Sequence, residues 1–360
     1  MGSITQASLR QVSKLVDMRT KYAAVLTKFE NIIKHEGLMG LVRRAFHLAG
    51  KRIGSIPDNL HRYLCKHSSL YTNFVNLKRD LQLTRKTRQL ISDAGLRGME
   101  QFDLAAHKKS DRVFILGSGS SVNDLTPADW EHIASHDSIG FNFWMVHDFV
   151  PGYYFIEPTG ADERWETLLQ LFELHKNSYL NTQFFCDYKL WQYYEKYNPL
   201  AEIPAEIADK MFHYAPHYLR LNNHTLTAMA LWYWRLFKIK QGKIGDLIKQ
   251  RATLSALILF SVYAGYREIV LVGVDLNNPY YFWETSPSGI YPLQPANFQT
   301  GKIHRSADPA LDINDCSIPI DRYIYLLESI VLKPLHISLS VASEKSMLYP
   351  RLKKYSFPDP

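Results

Sequence analysis

The 360-residue chain has no run of about 18 uncharged apolar residues, which is the length that a membrane-spanning helix needs. Its first residues, MGSITQASLRQVSKLVDMRTKY, also lack the apolar core of a signal peptide. Only three cysteines are present, Cys65, Cys186 and Cys316, and their spacing matches neither a zinc site nor a disulfide framework. We therefore expect a protein of the reducing cytoplasm that does not cross a membrane.

The sequence also lacks internal repeats and low-complexity tracts. Hydrophobic residues make up 46% of the chain and charged residues 21%, which is typical of a folded globular protein. At this length the composition predicts one large domain or two.

Charge is distributed unevenly along the chain. Residues 1–112 carry 21 Lys and Arg against 9 Asp and Glu, a net charge of +12, whereas the remaining residues carry 21 against 26, a net charge of −5. Such asymmetry favours contact between the basic part and an anionic surface or ligand.

The basic part has the apolar spacing of helices. Apolar residues recur every three or four positions between Leu15 and Ile33 and again between residues 73 and 96. The second of these helices also carries Lys78, Arg79, Arg85, Lys86 and Arg88. Packing against the rest of the protein is the simplest interpretation, an anionic membrane surface is the second, and nucleic acid, for which no motif is present, is the third.

From Asp111 onward, short apolar runs alternate with helical segments. The runs have the pattern of buried parallel strands and lie in RVFILGSGSSVNDL, DSIGFNFW, GYYFIEP, REIVLVGVDL and HISLSVAS. The long interval between residues 161 and 250 is aromatic and helix-like. The sequence thus predicts an α/β fold, a Rossmann-like parallel sheet with flanking helices over residues 110–360, preceded by a basic helical region over residues 1–109.

Small or polar residues follow four of these strands. They are the segment GSGSS at 117–121, Asn142, Glu157 and the segment GVD at 273–275. Because open parallel sheets bind ligands at the carboxyl ends of their strands, we expect these residues to lie near a ligand. The glycine-containing turn suits a phosphate or a ribose, although such a turn is by itself a weak signal.

A segment without clear periodicity follows Asp275. Residues 276–303 contain many prolines, glycines and aromatic residues, which is typical of an active-site lid. His304 and Arg305 come directly after it. A loop histidine is more often a surface residue than a catalyst, but His304 has the most suggestive position of the 14 histidines.

The order of these features resembles that of a known enzyme family. The matching residues are GSGSS at 117–121, Asn142, Glu157-Pro158, Arg251-Ala252-Thr253-Leu254, Gly273-Val274-Asp275, Tyr280, Tyr281 and His304. In this order they are similar to the bacterial CMP-sialic-acid sialyltransferases of glycosyltransferase family 42. The resemblance covers roughly residues 110 to 350 and leaves the N-terminal helical region outside.

The resemblance implies a single-domain, GT-A-like enzyme that transfers a CMP-activated acid sugar with inversion at the anomeric carbon. His304 would act as general base, and Tyr280 or Tyr281, with Arg251 as a charge partner, would stabilise the departing CMP phosphate. The residues expected to bind the nucleotide are Gly117, Ser118, Gly119, Ser121, Asn142, Glu157, Thr253, Gly273 and Asp275.

The resemblance also implies a reaction without a metal or bound cofactor, because the family uses tyrosine hydroxyls at the phosphate. The acceptor would be a hydroxyl of a bacterial surface glycan, such as lipopolysaccharide or capsule. The enzyme would work in the cytoplasm, with its basic helices on the inner face of the membrane, and as a homo-oligomer.

Several alternatives stay open. Ser118 and Glu157 both stand where the family has Asn, and Leu254 stands where it has Ser, so the donor sugar could be sialic, pseudaminic or legionaminic acid, or Kdo. A Rossmann-like pterin diphosphokinase, using ATP and magnesium, has a similar first turn and Gly-x-Asp strand end. A non-catalytic scaffold that uses the basic helices for binding is the third alternative.

Overall fold

The computed structural model describes residues 69–158, 163–188, 199–239, 244, 246–297, 299, 301–309 and 317–358. The helix predicted between Leu15 and Ile33 lies outside the described residues, as do Cys65 and Cys316. The chain divides between Phe74 and Val75, and all contacts given below lie within the second unit, Val75–Pro360. Residues 75–109 therefore belong to the same unit as the sheet, and the predicted boundary at residue 110 does not coincide with this division.

The described part of the chain contains ten strands in two sheets. In chain order they are β1 (Arg112–Leu116), β2 (Asp137–Phe141), β3 (Tyr153–Ile156), β4 (Gln183–Asp187), β5 (Met211–Tyr214), β6 (His217–Tyr218), β7 (Ile248–Lys249), β8 (Glu268–Val272), β9 (Ser338–Val341) and β10 (Lys353–Lys354). Eight of them form one parallel sheet in the order β10-β9-β8-β1-β2-β3-β4-β5, and β6 pairs with β7. The predicted parallel α/β fold is confirmed.

Helices connect these strands. The α-helices described are α1 (Ser69–Asp93), α2 (Leu104–His107), α3 (Pro127–Ala134), α4 (Glu163–His175), α5 (Ala205–Ala208), α6 (His224–Phe237), α7 (Thr253–Tyr263), α8 (Phe282–Thr285) and α9 (Ile320–Leu327). Among them, none has the length and hydropathy of a membrane span.

Side chains of the sheet alternate between two apolar layers. On β1, Val113 and Ile115 enter one buried cluster, whereas Phe114 and Leu116 enter the other. Successive strand side chains point to opposite faces, so a strand that is buried on both faces must be apolar at every position. Helix α7 packs entirely within the first layer, and each of its eleven residues is buried.

The order of the strands creates a switch point beside β1. The chain passes from β1 through β2, β3, β4 and β5 on one side and then returns to place β8 on the other side. Leu116 at the end of β1 pairs with Val272 at the end of β8, so both strands end level with each other. Loops that leave neighbouring strands in opposite directions open a crevice between them, where ligands bind in this class of fold.

The secondary structure between residues 161 and 250 differs from the one that the sequence predicts. The helix-like character of this interval corresponds to α4 and α6, but the interval also supplies β4 and β5 to the main sheet. These strands are as short as the inferred ones, and they were missed because they lie among other aromatic residues without alternation. Short buried strands cannot be separated from buried helix segments by periodicity alone.

The basic helix predicted over 73–96 is α1, and its part from Val75 onward packs against the rest of the second unit through an acidic residue. Asp80 is buried, and its carboxylate lies 3.1 Å from His217 Nδ1 and accepts the Tyr218 backbone N–H at 2.8 Å. Near its other end, Arg88 forms an ion pair with Asp246 at 2.5 Å. These contacts agree with a packing helix, and they leave Arg79, Arg85 and Lys86 exposed.

Candidate functional site

A cavity of about 670 Å³ opens at the carboxyl ends of β1, β2, β3 and β8, which is a suitable size for a small-molecule ligand. Its wall contains twelve of the thirteen residues singled out in the sequence. These are Gly117, Ser118, Gly119, Asn142, Glu157, Arg251, Thr253, Gly273, Asp275, Tyr280, Tyr281 and His304. The fold thus brings together residues that are up to 187 positions apart in the sequence, from Gly117 to His304.

The loops after β1 and β8 are held against each other at the switch point. The Gly117 N–H donates to the Val272 carbonyl and the Gly119 N–H donates to the Gly273 carbonyl, both at 2.7 Å. A Cβ atom on Gly117 would lie 2.6 Å from the Gly273 carbonyl oxygen, and Gly273 itself has a φ of +62°. Glycine is needed here for the close approach of two backbones, in addition to any role at a ligand.

Ser121 is the predicted site residue that does not line the cavity. It is buried, and both its N–H and its Oγ donate to the Asp275 carboxylate, at 2.9 Å and 2.5 Å. Ser120 Oγ donates to the same carboxylate at 3.2 Å. Asp275, which lies in the cavity wall, therefore holds the turn after β1 in place. Ser121 contacts Asp275 and does not reach the cavity.

A methyl group added to Gly117 should destabilise this junction. We expect Gly117→Ala to lower the free energy of unfolding by about 1–3 kcal/mol, because the added carbon meets backbone that cannot move aside. Gly152→Ala is the matched control, since its Cβ would lie 3.8 Å from the Ser138 carbonyl, an ordinary contact, and its effect should stay within about 1 kcal/mol. Urea unfolding of both variants checks this, and equal stabilities would contradict the role assigned to Gly117.

Strained backbone is concentrated at the cavity. Among the described residues other than glycine, Asn142, Arg251, Leu276 and His336 have positive φ, between 54° and 64°. The first three line the cavity. Such conformations cost about 1–3 kcal/mol each and cluster at ligand sites, where the surrounding structure holds them in place.

A buried ionic cluster supports Glu157 from behind. Lys249 Nζ lies 2.5 Å from Glu157 Oε1 and 3.3 Å from Asp187 Oδ2, and its side chain is only 3% exposed. Thr253 donates its hydroxyl to the other oxygen of Glu157. Burial alone would raise the pKa of Glu157, but the Lys249 ammonium outweighs burial and lowers that pKa, so the carboxylate at the cavity wall is charged at neutral pH.

The cavity wall is rich in arginine. Arg164, Arg220, Arg251 and Arg305 all line it. Arg251 Nη2 donates to the Asp308 carbonyl at 2.6 Å, and the Arg164 guanidinium lies 4.9 Å from the centre of the Phe143 ring. Helix α7 also begins at the wall, with Thr253, and so directs the positive end of its dipole there. This electrostatic environment favours an anionic ligand.

The two predicted tyrosines differ in their surroundings. Tyr280 is 57% exposed, whereas Tyr281 is 9% exposed and stacks on Trp283 with 4.5 Å between ring centres. The Tyr281 hydroxyl accepts a hydrogen bond from Gln299 Nε2 at 2.9 Å. Burial raises the pKa of Tyr281, so its hydroxyl keeps its proton and can donate it to an anionic oxygen.

His304 lies at the base of the predicted lid. Its backbone N–H donates to the Leu276 carbonyl at 3.0 Å, which joins the two ends of segment 276–303. The lid is packed on the first strand-end turn, because the Phe282 N–H donates to the Ser118 carbonyl at 3.0 Å. Burial lowers the pKa of His304 to about 4, so its imidazole is neutral at pH 7 and can accept a proton.

Sequence reasoning missed several residues of the site. Arg164 lies in the first turn of the helix after β3 and could have been found by extending the search from strand ends to helix starts. Gln299 lies five residues before His304 within the predicted lid. Neither Arg220 nor Lys249 follows a strand that the sequence had revealed, so no signal marked them.

In the described ranges, no three His, Cys, Asp or Glu side chains cluster as metal ligands do. Metal independence stays a prediction. Compared with known proteins, the chain matches no protein-family model, no curated protein and no solved structure.

Proposed function

We propose that the chain is an inverting glycosyltransferase that moves an acidic sugar from a CMP-linked donor to a hydroxyl of a glycan acceptor. One observation carries the proposal. A neutral, half-buried histidine, His304, shares a cavity with the small and polar residues at the ends of four neighbouring strands. A base beside a nucleotide-sized crevice is what transfer to a hydroxyl requires.

The charge of the cavity agrees with such a donor. A CMP-linked acid sugar carries a phosphate and a carboxylate, hence two negative charges. Four arginines line the cavity, and one of its two acidic residues, Glu157, is paired with Lys249. The arginine guanidinium matches both phosphate and carboxylate groups in shape and charge.

In the proposed reaction His304 takes the proton of the acceptor hydroxyl as its oxygen attacks the anomeric carbon. The bond between that carbon and the phosphate oxygen breaks, and CMP leaves with the electron pair. Attack from the side opposite the leaving group inverts the anomeric carbon. Tyr281, the more buried tyrosine, and Arg251 would stabilise the charge that develops on the phosphate, and Tyr280 at the open side would close over the donor.

The experiment is a turnover assay with a panel of CMP-linked acid sugars, in which CMP release is measured with bacterial glycan acceptors present. We expect at least one donor to be turned over and no transfer of diphosphate from ATP with magnesium. Turnover of ATP, or failure of every CMP-linked donor, would contradict the proposal.

The pH dependence of the reaction should reflect the low pKa of His304. Because burial lowers that pKa to about 4, the imidazole stays in its proton-accepting form as the pH falls from 8 to 5. We expect kcat/KM to have no acid limb in this range, whereas an ordinary histidine would give one near its usual value of about 6.5. A midpoint near that usual value would contradict the assignment.

We further propose that the enzyme is cytoplasmic and contacts the anionic inner face of the membrane through α1. Arg79, Arg85 and Lys86 are exposed on that helix. The protein should sediment with vesicles that contain phosphatidylserine at low salt and stay in the supernatant at high salt. The reason is that surface charges are screened over about 10 Å at 0.1 M salt. Arg79→Gln/Arg85→Gln/Lys86→Gln should weaken this binding, and binding unaffected by salt would contradict the proposal.

A further inference from the structure

His304 has a polar neighbour at each ring nitrogen. Nδ1 lies 2.8 Å from Ser306 Oγ, and Nε2 lies 3.4 Å from Gln299 Nε2. A neutral imidazole carries its proton on one nitrogen and a lone pair on the other. The neighbours therefore decide which nitrogen can act as a base.

The orientation of the Gln299 amide is fixed by a backbone group. Its Oε1 accepts the Arg305 backbone N–H at 2.9 Å, and a backbone N–H can only donate. The opposite end of the amide, Nε2, must then be the NH₂ group, which faces both the Tyr281 hydroxyl and His304 Nε2.

An amide NH₂ has no lone pair to offer, so His304 Nε2 must be the acceptor of this contact. The ring proton then belongs on Nδ1, from which it is donated to Ser306 Oγ. The backbone N–H of Ser306 lies 3.3 Å from the same Nδ1 and favours the other tautomer. That contact is the longer of the two that Ser306 makes. Each tautomer sets one pair of N–H groups against each other, at the Ser306 backbone (3.3 Å) or at Gln299 Nε2 (3.4 Å), and only the Nδ1–H tautomer gives the oriented Gln299 NH₂ group an acceptor on the ring while Nδ1 keeps its 2.8 Å hydrogen bond to Ser306 Oγ.

We propose that Gln299 and Ser306 are positioning residues that hold His304 in the Nδ1–H tautomer, with the Nε2 lone pair directed towards the cavity. The 3.4 Å contact between Gln299 and Nε2 is long for a hydrogen bond, so an acceptor hydroxyl can replace it when the acceptor binds. The catalytic meaning of this arrangement rests on the proposed function, whereas the tautomer itself does not.

Nitrogen-15 NMR of histidine-labelled full-length protein at pH 7 tests the tautomer directly, with His304→Asn used to assign the signal. We expect wild type to show a protonated Nδ1 and an unprotonated Nε2. In Gln299→Glu the side chain keeps its bond to the Arg305 N–H but presents an acceptor to His304, so the unprotonated Nε2 signal should disappear. Gln294→Glu makes the same change at an exposed position of the lid and should leave the signal unchanged.

Kinetics of the same variants separate positioning from folding. Gln299→Glu should lower kcat by about 100- to 10,000-fold, the range expected when a histidine base is held in the wrong tautomer, with little change in the KM of the donor. Gln294→Glu should match wild type. An Nε2–H tautomer in wild type, or a Gln299→Glu signal like that of wild type, would overturn the inference. If the tautomer is as expected but no CMP-linked donor is turned over, the proposed function fails and the inference stands.

Discussion

Replacing His304 by alanine should lower kcat by about 100- to 10,000-fold, the usual contribution of a general base. His304 is the only histidine among the described residues that line the cavity, so no other histidine there can take over proton removal. The nucleotide is expected to contact mainly the strand-end loops, so the Kd for CMP should change less than about threefold, within roughly 0.7 kcal/mol. Turnover measured beside calorimetric binding distinguishes the two effects.

His224→Ala is the control for this variant, because His224 is exposed at the start of α6 and does not line the cavity. It should behave as wild type in both assays. If His304→Ala kept full turnover, His304 would be an ordinary loop histidine and the proposed mechanism would be wrong. If it lost CMP binding as well, its role would be in holding the nucleotide.

Replacing Lys249 by methionine should destabilise the protein by about 3–5 kcal/mol, because removal of one partner leaves buried charge without compensation. Lys249 is 3% exposed and Asp187 is fully buried beside it. Burial raises the pKa of Asp187, and removal of the ammonium would raise it further. Methionine retains much of the volume, so the expected loss is electrostatic.

Lys354→Met is the matched control, since Lys354 pairs with Glu344 at 3.3 Å with both side chains about half exposed. Such pairs contribute about 0–1 kcal/mol. Urea unfolding of both variants measures the difference. A Lys249→Met protein as stable as the Lys354→Met protein would show that the cluster behind Glu157 is not an essential ion pair.

The fold could be inferred from sequence where a short apolar run ends in glycine or polar residues. This pattern is present at β1, β2, β3, β8 and β9. It can be recognised without knowing which residues are in contact. β4 and β5 could not be inferred, because Phe184, Phe185 and Phe212 fit a buried helix as well as a strand. The order of the strands, and hence the switch point, depends on pairings that a local pattern does not contain.

The site residues could be predicted where their position directly after a strand is enough to place them. Residues directly after a parallel strand must lie at one edge of the sheet, and this rule placed Gly117, Asn142 and Gly273 at the cavity. Ser121 shows the limit of the rule, because the turn directs its side chain towards Asp275. Lys249 and Arg220 come from remote segments, and only the packing of the chain brings them to Glu157 or the cavity.

Calorimetric titration of the full-length protein with CMP, CDP, ATP and UDP, with and without magnesium, tests most directly whether the cavity at the switch point is a CMP site. We expect CMP to bind selectively and with the same affinity in the absence of magnesium. Preference for ATP with magnesium, or absence of binding by any of these nucleotides, would contradict the proposed function.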